Sequence, residues 1–249
     1  TEPYANRTAV GLGPQGAIID NVGFVGELWY AGELLTSISG LNRPRLQDEL
    51  IVYTEAYGTK TNTNVYGYEV VVVDGVVVQL QPEGNSTIPP GGLVLSAHGA
   101  QRQYLAGLKV GDQVEVVINL QPDWSELGIR QIIGGGPRLL RGGVLDITGE
   151  AEQFKDDILK GRAPRTAIGI TADQKLLLVT VNGRQPNISV GMTLEELGNL
   201  LIELGALEAM NLDGGGSTTM IVRNLVLNLP SDGKERAVAN AIVVVPGAK

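Results

Sequence analysis

Residues 68–80 read YEVVVVDGVVVQL, two valine-rich runs on either side of Asp74-Gly75. Valine is stiff at χ1 and crowds a helix, whereas the pleated surface of a strand accommodates it. Asp-Gly offers two successive residues able to take positive φ, which a two-residue hairpin turn requires. The stretch therefore predicts an antiparallel hairpin. The rest of the chain follows the same chemistry. Aromatic residues make up only 4% of the 249, so Val, Ile and Leu carry the apolar load. The 34 glycines lie well above the average share of roughly 7%. Sheets joined by tight turns are expected.

Further strands are expected over 93–99, 113–120, 130–147 (interrupted by Gly134-Gly135-Gly136-Pro137) and 237–245. The stretch 81–92 reads as a loop and 106–112 as a turn. RTAVG at 7–11 is echoed by RTAIG at 165–169, each opening a strand–turn–strand unit, which raises the prospect of a duplicated β core. Two segments read as helices. Residues 150–160 end before Gly161, a suitable C-terminal cap. Residues 193–204 begin with a Thr193/Glu196 capping box, end before Gly205, and space Leu194, Leu197, Leu200, Leu201 and Leu204 on one face. The expected fold is α+β: one domain over 1–249 with a central twisted mixed β-sheet and packed helices. Within it, 30–130 reads as a β-rich insertion and 129–245 as the motif-bearing core.

The net charge of −8, with no Lys/Arg run, disfavours nucleic acid. The absence of cysteine excludes disulfides, thiolate zinc sites and thiol catalysis. A single histidine, His98, makes histidine-based zinc chemistry improbable. It is a candidate acid, base or substrate contact, weighed against a structural hydrogen-bonding role. No apolar run approaches the roughly 20 residues of a membrane span. The opening TEPYANR lacks a signal-peptide pattern, so a mature or trimmed chain is expected.

The chemistry concentrates in NLDGGGSTTM, 211–220. Three glycines in series let backbone N–H groups converge on an anion, Ser217 and Thr218 add hydroxyls, and Asp213 adds a carboxylate at the rim. It is neither a Walker loop, since no lysine follows the glycines, nor a Rossmann fingerprint. Arg165, after Pro164, and Arg184, in VNGRQP, are placed to meet a phosphate or carboxylate. Gly135 lies in a second backbone-rich turn.

PRTAIGI, LLLVTVNGRQ, GMTLEELGNLLIELGALEAMNLDGGGSTTMIV, LPSDG and ERAVANAIVVV, in this order, resemble the phosphodiester glycosidase family, most densely over 129–245. VLSAHG and IIGGGP fit its bacterial members. The resemblance implies a mixed α+β fold and hydrolysis of a sugar-1-phosphodiester, which frees the sugar and leaves a phosphomonoester. The substrate would be a sugar phosphate or phosphoglycan of the cell envelope or an exopolysaccharide, met outside the cytoplasm. Catalytic positions carried over are Asp213, Arg165 and Asn182. Substrate-binding positions are Thr166, Arg184, Gly214, Gly215, Gly216, Ser217, Thr218, Gly135, Asp232 and His98, with Ser231 and Arg236 alongside. No cofactor is called for, although Asp213 and Asp232 are hard oxygen ligands for any divalent cation. Members of the family commonly carry Asp where this chain has Asn182. The competing expectation is thus a phosphoglycan-binding module that keeps the anion site without turnover.

Overall fold

The computed structural model describes residues 6–245. Among these, the chain forms two compact units, residues 22–124 and residues 7–21 with 125–245. Strand content far exceeds helix in both. The expected single central mixed sheet is replaced by several separate sheets. Among the described residues Gly40–Leu41 runs parallel to Leu50–Thr54, while the pairs on either side of Gly92–His98 and of Arg165–Thr171 are antiparallel. Tight turns explain this, because a two-residue connection can join only antiparallel neighbours.

In the unit over 22–124, Gly67–Val73 and Val76–Gln81 pair as the sequence predicts, with Asp74 at φ 49 and Gly75 at φ 76. They extend a sheet through Gly92–His98 to Leu50–Thr54. A second layer pairs Gly16–Tyr30, from Val22 onward, with Glu33–Ile38 and Val114–Gln121. Leu28, Leu50, Val52, Val70, Leu95 and Leu105 are fully buried in its core. A carboxylate buried in this unit, Glu69, accepts from Thr63 Oγ1, Ser96 Oγ and the Ser86 N–H at 2.6, 2.6 and 2.8 Å. A buried charge needs such partners.

The other unit holds a five-stranded sheet in the order Val144–Leu145, Arg138–Arg141, Ala206–Leu212, Arg165–Thr171, Leu176–Val181. The helix Leu194–Glu203 packs on it through Leu194, Leu197 and Leu201, which meet Leu139, Leu140 and Ala209 in one cluster. Thr193 and Glu196 form the capping box, and Gly205 takes φ 89 just past the end. Leu204, expected on the buried face, is exposed, since the helix has ended before it. Against the sheet, Ile168, Ile170 and Met210 share a cluster with Val10 and Ile19. Both RTA segments open hairpins: Arg7–Gly13 lies between Gln131–Gly134 and Gly16–Tyr30, and Arg165–Thr171 pairs with Leu176–Val181.

Two expected elements differ. Of 150–160 only Asp156–Leu159 is helical. Gln153 takes φ 58, which no helix tolerates. Residues 148–154 instead wrap Glu152, whose buried carboxylate accepts the Thr8 N–H at 2.8 Å, Thr8 Oγ1 at 2.6 Å, the Arg138 N–H at 3.0 Å and Thr148 Oγ1. Residues 237–245 form no strand: Ile242 joins the Val10 cluster, but Val243, Val244 and Val245 are exposed. A β-branched run becomes a strand only where a partner strand pairs with it.

Candidate functional site

Antiparallel register is what gathers the motifs. Arg165 lies opposite Val181, and Thr166 lies opposite both Thr180 and Leu212. The start of Arg165–Thr171 therefore meets the ends of its two neighbours, which lead directly into Asn182-Gly183-Arg184 and Asp213-Gly214-Gly215. Segments far apart in sequence emerge at one end of one sheet.

Pro164 is the pivot of that end. Its carbonyl accepts the Gly215 N–H at 2.9 Å. A β-carbon on Gly214 would stand 2.7 Å from the same carbonyl oxygen, and one on Gly183 would stand 2.5 Å from the Pro164 nitrogen. Only glycine lets both loops close on the proline. Gly215–Ser217 then form a single 3₁₀ turn. Its Ser217 and Thr218 N–H groups donate to Gly214 and Gly215 carbonyls at 3.1 and 3.3 Å. The expected nest of free N–H groups is thus partly spent within the protein, at Gly215, Ser217 and Thr218. Thr218 is buried and takes the Thr166 hydroxyl at 3.2 Å.

The cations divide into two kinds. Arg165 is buried, and its Nε and Nη2 donate to the carbonyls of Met192 at 3.0 Å, Ile158 at 3.1 Å and Gly161 at 2.7 Å. Burial, followed by the repulsion of Arg184, lowers its pKa below the ordinary arginine value. Gly161, expected to cap a helix, stays out of the left-handed region and serves here as an acceptor. Arg184 is exposed, takes φ 58, and has neither a hydrogen bond nor an ion pair among the described residues. Its guanidinium stands over Gly215, with both Nη atoms 3.3 Å from where a β-carbon would be. Asp213 is exposed, and its carboxylate has no hydrogen-bond partner among the described residues.

Asn182 accepts the Leu229 N–H at 2.8 Å with Oδ1, and its carbonyl accepts the Ser189 hydroxyl at 2.6 Å. Asp232 binds Arg236 through Nε at 3.0 Å and Nη2 at 2.6 Å. This ion pair lies against Gly216, where a β-carbon would collide with both side chains. Ser231 Oγ and Gln185 Oε1 are buried without a hydrogen-bond partner among the described residues.

The two remaining expected positions belong to other elements. Gly135 packs against the Asn211 carbonyl and Leu212, and its N–H donates to Thr8 at 3.0 Å. His98 belongs to the unit over 22–124, where it ends the strand Gly92–His98 and its Nδ1 is buried without a partner. Sequence reasoning also passed over Asn228. Its Nδ2 donates to the Thr218 carbonyl at 2.8 Å while its Oδ1 accepts the Met220 N–H at 2.7 Å. The only signal was an amide side chain next to LPSDG.

Clefts of about 730 Å³ (Ile147 to Ala151, Leu159, Lys160, Thr193 to Glu195) and about 320 Å³ (Ala17 to Asp20, Arg138, Arg141, Glu208) lie in this unit. Neither is lined by Asp213, Asn182 or Arg184. Among the described residues no three His, Cys, Asp or Glu side chains are grouped to hold a metal, and no helix is long and apolar enough to cross a membrane.

This arrangement defines a carboxylate and an unpaired cation at the mouth of an antiparallel sheet, with glycines closing the backbone around them. The chain belongs to the phosphodiester glycosidase family, whose profile matches residues 66–245. That match starts well before the motif-dense 129–245. Over 85 residues the chain is 33% identical to the bovine (Bos taurus) N-acetylglucosamine-1-phosphodiester alpha-N-acetylglucosaminidase, covering 34% of this chain and 15% of the bovine protein. In fold it is similar to a hypothetical protein from Synechocystis, with a TM-score of 0.81, 24% identity, and coverage of 92% of this chain and 43% of the other. It is also similar to a protein of Burkholderia pseudomallei K96243 inferred to be exported, with a TM-score of 0.76, 26% identity, and coverage of 93% and 56%. The chain thus spans well under two thirds of each.

Proposed function

We propose that this protein hydrolyses a sugar-1-phosphodiester of the cell envelope or of an exopolysaccharide, outside the cytoplasm, releasing the sugar. The observation that carries the reading is that the loops bearing Arg184 and Asp213 follow strands paired on either side of Arg165–Thr171, with Arg184 against Gly215 two residues before Ser217, in a chain of this family. The family supports the glycan chemistry, and the Burkholderia neighbour, itself only inferred to be exported, supports the location.

In this reading the bond between the anomeric carbon and the phosphate oxygen breaks, and its electron pair leaves with the phosphate. Water supplies the hydroxyl to the anomeric carbon, and its remaining proton passes to the departing phosphate or to solvent. Positive charge grows on the sugar ring in an oxocarbenium-like state, and the Asp213 carboxylate is the group to stabilise it. Arg184, having no competing carboxylate, meets the charge that develops on the leaving phosphate, and the Ser217 hydroxyl adds a donor. Phosphate is already a good leaving group, so a strong general acid is not required. Arg165 holds the strand mouth in place and adds its field to that of Arg184. Asn182 fixes the loop at Leu229.

The test is release of free sugar from a panel of sugar-1-phosphodiesters, wild type against Asp213→Asn. The expected result is turnover by wild type and a loss of about 10³-fold in the variant, as for removal of a principal transition-state contact. A folded wild type that cleaves none of the panel overturns the reading.

A further inference from the structure

Three residues beyond Thr218 the chain enters a hairpin, Ile221–Val222 with Leu225–Val226, turning through Arg223 and Asn224 at φ 51 and 64. Directly opposed residues of an antiparallel pair share a face. Ile221 with Val226 forms one face and Val222 with Leu225 forms the other. Their exposures are 58%, 40%, 46% and 66% in that order. A hairpin laid on a protein core hides one face, and this one hides neither. Leu227 and Leu229, also exposed, continue the apolar run.

This patch is built onto the site. Asn228 is buried and ties the Thr218 carbonyl to the Met220 N–H, and the Leu227 N–H donates to the Met220 carbonyl at 2.8 Å. The Leu229 N–H is the group held by Asn182. The surface thus passes from the 3₁₀ turn under Arg184 to aliphatic side chains within a few residues. Residues 155–245 contain no Phe, Tyr or Trp. Nucleobases are held by stacking on aromatic faces, whereas an alkyl chain needs only apolar contact and removal from water.

Resting on the function proposed above, we infer that the group beyond the scissile phosphate is aliphatic. The substrate is a sugar-1-phosphodiester of a long-chain alcohol, with the phosphate at Arg184 and the chain along the hairpin. The products are the free sugar and an alkyl phosphate.

The experiment is calorimetric binding of dodecyl phosphate, below its micelle-forming concentration, against ethyl phosphate and uridine monophosphate. Dodecyl phosphate is expected to bind at least tenfold more tightly than either. In Ile221→Thr/Leu225→Thr, which keeps strand-forming residues at exposed positions, and in the single Leu225→Thr, that ratio should fall towards one. Arg184→Ala should weaken all three ligands. Equal affinities in wild type, a preference for uridine monophosphate, or a chain-length preference that survives the hairpin variants overturns the inference. Loss of hydrolysis on every phosphodiester with the chain-length preference intact removes the glycosidase reading and leaves this site standing. Hydrolysis without that preference does the reverse.

Discussion

The Arg184 guanidinium covers the Cα of Gly215, with both Nη atoms 3.3 Å from the space a side chain would need. Arg184 at φ 58 and Gly215 at φ 60 both hold left-handed backbone, a conformation costly for arginine and natural for glycine. Nothing among the described residues competes for the cation, which leaves it available to an anion.

Two variants test that pairing. Arg184→Ala should lower kcat/KM for a sugar-1-phosphodiester by about 10²-fold, the scale of one lost charge-stabilising contact. Its Tm should hold, since the side chain is exposed and unbonded. Gly215→Ala should cost about 1 kcal/mol in backbone strain and also weaken phosphate binding, because the new methyl group crowds the guanidinium. Phosphate titration of both proteins reads the outcome.

Arg165 should behave in the opposite way. Arg165→Ala strips the donors from three main-chain carbonyls, Met192, Ile158 and Gly161. At roughly 1–3 kcal/mol for each unpaired buried group, denaturant unfolding should report a loss of about 3 kcal/mol or more. Arg165→Lys should recover only part of it, since an ammonium lacks the planar fork. An Arg165→Ala protein as stable as wild type would refute the positioning role.

Asn182 is expected to act through the loop it holds. Asn182→Ala leaves the Leu229 N–H without its acceptor and should cost about 1 kcal/mol together with a drop in kcat/KM. Asn182→Asp keeps an acceptor there, so stability and turnover should stay close to wild type. A rise in turnover of tenfold or more in Asn182→Asp would instead mark this chain as a weakened enzyme lacking a carboxylate.

The capping box carries a pH dependence. The Glu196 carboxyl is held below its ordinary pKa, first by the Thr193 N–H against the opposing effect of burial, and then by Arg162. A lowered folded pKa means that the stabilisation is present above the unfolded value of about 4.3 and is lost as pH falls through the folded one. Wild type should therefore melt above Glu196→Gln near neutral pH, and the two curves should converge once the pH has fallen through the lowered folded pKa. A constant gap across that range would contradict the assignment.

Much of this was readable in the residues, and the limits are physical. Asp74-Gly75 and the Thr193/Glu196 box are local signals, decided by residues adjacent to each other or one turn apart, and both stand in the structure. The candidate segments were legible one by one, because PRT, NGR and DGGGS are each unusual. Their geometry was not, since it depends on the Arg165–Val181 and Thr166–Leu212 register, which no local pattern encodes. The free-amide reading of the glycines failed in part for a related reason: the Gly215 N–H found a distant acceptor in Pro164. The 237–245 strand and the 150–160 helix failed where tertiary partners overrode propensity, by a missing strand in one case and by Glu152 in the other.

Glu152 also governs how this protein can be dissected. Its donors come from Thr8 as well as from Arg138 and Thr148, and Val10 and Ile19 complete the core beside Ile168 and Met210. A fragment expressed from residue 125 onward would keep PRT, NGR and DGGGS yet lose two of the donors to the Glu152 carboxylate and leave a gap in its interior. Since residues 8 and 152 must find each other across 144 positions, closure of this unit waits on a long-range encounter, and refolding should be slow for the chain's length. A minimal version would have to splice 7–21 directly onto 125–245, turning a discontinuous unit into a contiguous one.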